Sequence, residues 1–212
     1  MTILDVLTVA VLTVVGIRLV EAARSSVTAR HRSLAVIRGL RAHHFLRAVP
    51  VLALILTTAW LLIQLPVLSF GWWTALGGEG NPVAGITNRD FGIVGVVVPL
   101  FFLGLLLVGL PLLVSREEWV FRRGAERRGS VANIAWAVVF GLAHAIVGIP
   151  IGAALALSIG GLYLTSCYLE GWHATRTQTG ALLESTRAHL AYNLTVVSVV
   201  LIVLIVLLVV GG

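Results

Sequence analysis

The stretch at 92–114, GIVGVVVPLFFLGLLLVGLPLLV, carries no charged residue and runs directly into Ser115-Arg116-Glu117-Glu118-Trp119-Val120-Phe121-Arg122. About twenty residues rising 1.5 Å each cross the roughly 30 Å hydrocarbon layer of a bilayer. The run is therefore long enough to span, and it delivers two adjacent carboxylates to the membrane edge. Working outward, five further apolar runs lie at 3–20, 48–69, 131–148, 150–169 and 190–210, the last two of the middle group divided by the turn signal Gly148-Ile149-Pro150. The composition of the whole chain agrees: 58% of its 212 residues are hydrophobic, 11% are charged, and the mean hydropathy is +1.02. These values lie outside the range of soluble globular domains. The expectation is an all-α polytopic transmembrane bundle of about six spans, a single integral membrane domain over 1–212 whose motif-bearing core covers about 90–210. No period of 20–50 residues is visible, so a solenoid or an inverted-repeat transporter finds no support.

The formal charge is +6 and the pI near 11.0, and all fifteen basic residues are arginines. They sit between apolar runs instead of forming one soluble face, which suits cytoplasmic connections and anionic headgroups and argues against nucleic acid as a partner. The segment 18–47 carries Arg18, Arg24, Arg30, Arg32, Arg38, Arg41 and Arg47, whereas 70–91 carries only Arg89. Alternating through six spans places 115–130 and 170–188 on the same, cytoplasmic side as 18–47, with both termini outside and every arginine but Arg89 facing the cytoplasm. The first run opens Met1-Thr2-Ile3-Leu4-Asp5, without a basic n-region or a clear cleavage site, so a retained helix is expected. Segment 70–91, with Trp72, Trp73, Gly77, Gly78, Gly80 and Asn81-Pro82, reads as an external loop with an interfacial aromatic anchor. Gly152, Ala153, Ala156, Gly160 and Gly161 form a small-residue stripe that lets helices approach closely. Cys167, alone in an apolar run, reads as a packed thiol.

Ionisable groups at or within spans are costly and mark a partner, a wet cavity or a function. Three segments qualify: Glu117-Glu118-Trp119-Val120-Phe121-Arg122 after the third run, Phe140-Gly141-Leu142-Ala143-His144 inside the fourth, and His189-Leu190-Ala191-Tyr192-Asn193 opening the sixth. Helical spacing sets Glu118 and Arg122 on one face, where they can pair, and turns Glu117 about 100° away toward another helix. His189 and Asn193, also four apart, point the same way from one helix. A partly desolvated carboxylate gains proton affinity and can serve as a general base for water, an imidazole can position that water, and an amide with a second imidazole can stabilise an oxyanion. No covalent nucleophile is required.

In this order, Glu-Glu-x-x-x-Arg, Phe-x-x-x-His and His-x-x-x-Asn resemble the CPBP intramembrane protease family, which includes the type II CAAX prenyl endopeptidases and Abi-like proteins. The resemblance implies that Glu117 activates water with His144 beside it, that His189 and Asn193 stabilise the oxyanion, and that Glu118, Arg122 and Phe140 support the site. It also implies an all-helical core and, as partners, membrane lipid and a peptide or protein substrate of the kind that can be lipidated. The chain departs from the family where Arg123 follows Arg122 in place of the common Gly, and where 170–188 is longer and more polar than usual.

Blander readings run alongside. Glu117 and Glu118 can be a solvated helix end balancing nearby arginines, His144 a core histidine bonded to a backbone carbonyl, and His189 with Asn193 helix-to-helix hydrogen-bonding glue. His31, His43, His44 and His173 lie in Arg-containing segments and read as interfacial surface. Cofactor-free chemistry is expected; the alternative is zinc held by Glu117, His144 and His189, although no HExxH pair fixes two ligands on one helix. A non-enzymatic immunity or scaffold protein and a small proton-coupled transporter are the readings from other classes. One geometric condition attaches to the protease reading: straight spans place Glu117 and His189 at the cytoplasmic edge but His144 about 20 Å deep. Either the fourth helix starts late or the third continues past Arg122.

Overall fold

A computed structural model describes residues 13, 17, 20, 27–71 and 92–210. The expected first span, apart from Thr13, Ile17 and Val20, and the aromatic loop beyond Gly71 lie outside the described residues. Among those described the chain is helical, with no strand: α1 (Val27–Arg38), α2 (Ala42–Ile63), α3 (Gly92–Phe121), α4 (Ser130–Ala143), α5 (Ile151–Thr175) and α6 (Gln178–Val210), plus 3₁₀ turns at Ala125–Arg127 and His144–Val147. Two of these, α2 and α5, are long and apolar enough to cross a membrane.

The outward face of α2 carries Leu46, Val49, Leu54, Leu56, Trp60 and Leu61, all more than half exposed. This helix is thus apolar on its outer face as well as its inner one. Its inner face packs Ala48, Leu52 and Ile55 against Ala156 of α5 and Tyr192 of α6. On the other side of α6, Leu190 and Val197 meet Leu110 and Val114 of α3 and Val36 of α1.

α5 is the central helix, packed against α2, α4 and α6. The small-residue stripe allows this. A Cβ on Gly161 would stand 2.7 Å from the carbonyl oxygen of Ala137 in α4, and one on Gly141 would collide with Ala154 and Ser158 of α5. Overpacking such a contact costs about 1–3 kcal/mol. Gly161→Leu is accordingly expected to lower the thermal midpoint of the detergent-solubilised protein, whereas an unchanged midpoint would show that α4 and α5 are not in close contact there.

The helix boundaries differ from hydropathy in instructive ways. The second run was expected to reach residue 69, but α2 stops at Ile63, where Gln64 donates its side-chain amide to the Trp60 carbonyl and the chain turns. That turn has a use: the carbonyls of Leu68 and Phe70 accept the N–H groups of Gly152 and Ile151, satisfying donors at the start of α5. Segment 170–188, expected as a loop, is helical on both sides of a two-residue connection at Arg176-Thr177, with Arg176 left-handed at φ 53°. Its polarity serves contacts between helices: Glu170 pairs with Arg47 at 2.7 Å, and Glu184 accepts from His44 at 3.1 Å. The fourth run was expected to span, yet α4 has only 14 residues, about 21 Å of helix, before the 3₁₀ turn that begins at His144.

Candidate active site

At 30 residues α3 is about 45 Å long, so its last turns extend beyond the apolar run and carry Glu117 and Glu118 as ordered helix. The ring of Phe121, its last residue, lies 6.3 Å from Trp136 and 5.3 Å from Phe140. The end of α3 thus meets α4 midway along its length; α3 ends at Phe121 and α4 starts at Ser130, so neither a late start of the fourth helix nor a continuation of the third past Arg122 is seen. The intervening connection is folded onto α5: Tyr168 accepts from the Gly124 N–H and donates to Glu126, which also accepts from Gln178. Burial opposes the charge on Glu126, but the hydrogen bonds from Gln178 and Tyr168 outweigh it and hold the carboxyl below its ordinary value of 4.5. A depressed carboxyl contributes stability that is complete above the unfolded value and is lost as pH falls through the folded one. Thermal stability should therefore drop on acidification below about pH 4.5, and Glu126→Gln should remove part of that acid-dependent drop.

Glu118 is fully buried. Its Oε1 accepts from His189 Nδ1–H at 2.9 Å, and its Oε2 lies 3.7 Å from Arg122 Nε, one helical turn on. Arg122 is also buried, with its guanidinium 4.0 Å from the centre of the Phe140 ring and its Nη2 donating to the Gly161 carbonyl at 3.3 Å. The Gly161 contact links the packing stripe of α5 to the polar centre, a role that spacing alone did not reveal. Glu118 Oε2 and Arg122 Nε and Nη1 are buried with no hydrogen-bond partner among the described residues. Unused buried polar capacity is costly and uncommon in a part that serves packing alone.

His189, buried on α6, presents its other nitrogen to Glu117: Nε2 lies 3.5 Å from Glu117 Oε2. One imidazole thus bridges both carboxylates of the pair. Glu117 itself remains partly open, with 37% of its side chain exposed, where its neighbour has none. His144 donates Nδ1–H to the Phe140 carbonyl at 2.9 Å, which leaves a lone pair on Nε2, and its ring packs 4.9 Å from the Phe140 ring. The ring of His189 lies 5.7 Å from the same phenyl, so both imidazoles pack against Phe140. No hydrogen bond or ion pair joins His144 to Glu117 among the described residues. Asn193, one turn beyond His189, is half-buried, and its amide makes no hydrogen bond among the described residues.

For zinc, Glu117 and His189 Nε2 at 3.5 Å approach the ligand separation of about 3.3 Å expected for tetrahedral Zn–N and Zn–O bonds near 2.0–2.1 Å. The Nδ1–H of His189, donated to Glu118, would hold the ring in the orientation that a metal on Nε2 needs. His144 does not close the set: the described His/Asp/Glu trio whose ligand atoms all lie within 4.8 Å of one another is His43, His44 and Glu184. That trio was unexpected, since both histidines read as surface. His44 is buried, and its chemistry opposes a metal: the Arg41 N–H donates to Nδ1 at 3.0 Å, so Nε2 must carry the proton given to Glu184. The residue serves to cap α2 and tie it to α6.

No protein-family model, curated protein or solved structure matches this chain. The residues of the site carry the functional reading.

Proposed function

We propose that the chain is an intramembrane peptide hydrolase of the CPBP kind, with Glu117 as the base that takes a proton from the attacking water. The observation that carries the reading is the His189 bridge. A glutamate that merely balanced arginines at a helix end would face solvent, whereas Glu117 is turned to a buried imidazole whose other nitrogen is fixed by a fully buried carboxylate. Fixed partners of this sort tune and orient reacting groups.

In the reaction, the water oxygen bonds to the scissile carbonyl carbon while Glu117 receives its proton. His144, through the free Nε2, accepts a hydrogen bond from that water and positions it. His189 and the Asn193 amide donate to the oxyanion as the carbonyl double bond opens. On collapse the C–N bond breaks, the proton held by Glu117 passes to the leaving nitrogen, and a carboxylate and an amine result. Glu118 and Arg122 position His189. The substrate is a membrane-proximal peptide segment, lipidated or not. The chain sits as a polytopic bundle of about six spans with its arginine-rich connections on the cytoplasmic side, an arrangement supported by the two helices long and apolar enough to cross and by the lipid-suited outer face of α2.

The test is cleavage of membrane-anchored peptides by the purified chain in vesicles. His144→Ala and His189→Ala should each lose about 10²–10³-fold in rate; variants as active as the parent would reject the site. Activity should survive a chelator, and loss reversed by zinc would transfer the chemistry to a metal held by Glu117 and His189.

A further inference from the structure

A second feature of α3 lies on the face turned away from the glutamates. Leu112, Ser115, Arg116 and Trp119 follow one another at helical spacing and line two adjoining cavities of about 330 and 180 Å³ that share Arg32, Ser115 and Trp119. α1 contributes His31 and Arg32, and the first turns of α6 contribute Thr179, Leu182 and Thr186. The lining holds no carboxylate.

The arginines here are held in place without being neutralised. Arg116, on the lining, lies 5.3 Å from the ring centre of Trp119, and Arg123, one turn beyond the lining, lies 5.1 Å from it; both are exposed. Neither they nor Arg32 pairs with a carboxylate among the described residues. Stacking on an aromatic face orients a guanidinium while leaving its N–H edge for an anion. Arg122, on the inner face, is by contrast paired with Glu118, which also accepts from His189.

The level of the groove identifies the anion. The last turns of α3 lie just beyond its apolar run, at the height of lipid headgroups, where tryptophan is also favoured. α1 exposes Leu34 and Ile37 together with Arg30 and Arg32, the mixture that an interfacial helix presents to acyl chains and phosphates. The cavity floor is apolar, from Leu112, Leu182 and Leu183, and its rim is cationic and hydroxylic. A soluble anion would use the rim and leave the floor uncovered; an amphiphile uses both.

We propose that the groove between α1, the end of α3 and the start of α6 binds an anionic phospholipid, its phosphate held by Arg32, Arg116 and Arg123 and its upper acyl chain laid against Leu112 and Leu182. The site stands whether or not Glu117 is a base. Each arginine near an anionic headgroup is worth a factor of about five in affinity. The experiment is native mass spectrometry of the full chain released from nanodiscs of phosphatidylcholine and phosphatidylglycerol in equal amounts. The parent should retain phosphatidylglycerol in preference, the Arg116→Gln, Arg123→Gln double variant should lose that preference about twenty-five-fold, and Arg38→Gln, outside the groove, should keep it. All three positions are exposed, so the folded chain tolerates the changes, and circular dichroism of each variant checks this. Equal retention of the two lipids, an unchanged preference in the double variant, or displacement of the lipid by inorganic phosphate or by an oligoglutamate peptide would overturn the proposal.

Discussion

Glu117→Gln should leave the chain folded and reduce peptide cleavage by about 10³-fold or more, the upper part of the range for removing a general base. The substitution preserves size and keeps an oxygen that can accept from His189 Nε2, so the bridge to Glu118 persists while the group that takes the proton is gone. Glu117 is the partly open member of the pair and makes no contact that the hydrophobic core depends on. Stability should therefore change little, and the loss should appear in kcat more than in KM. Unaltered cleavage by a folded Glu117→Gln protein would remove Glu117 from the mechanism.

The second large effect is on stability and belongs to its neighbour. Glu118→Ala strips the buried Arg122 guanidinium of its carboxylate and leaves His189 Nδ1–H without an acceptor. Breaking a buried ion pair from one side costs about 3–5 kcal/mol, because an uncompensated charge remains in a low-dielectric interior. Arg122→Ala should cost a similar amount and also open the contact with Phe140 and Gly161. Replacing both by leucine should cost less than either single change, since no charge is then stranded. Thermal unfolding of the four proteins in one detergent measures this; additive losses would show that the two residues do not act as a pair.

The three polar segments and the inward pairing of Glu118 with Arg122 were legible from spacing, because side chains four apart share a helix face whatever the tertiary context. Where each helix ends was not. Hydropathy marks where a chain is apolar, and here the polar residues beyond the runs continue as helix because they find partners across it: Glu184 with His44, Glu170 with Arg47, Glu117 with His189. The same blindness hid His44, whose neighbourhood of arginines resembles surface although the ring is buried as a cap. The surroundings of His144 were equally hidden. Counting rise per residue assumes parallel, straight spans and says nothing of the packing of Phe121 and of both imidazoles against Phe140. The bridging of both carboxylates by His189 depends on the relative rotation of α3 and α6, which no local pattern encodes.

The measurement that tests the central claim most directly is hydrolysis in ¹⁸O-labelled water. The purified chain, reconstituted in vesicles with a library of membrane-anchored peptides, should generate new C-termini that carry the heavy oxygen, read by mass spectrometry, and Glu117→Gln should generate almost none. New termini formed equally by both proteins, or none formed by the parent, would contradict the assignment of Glu117 as the base of a peptide hydrolase.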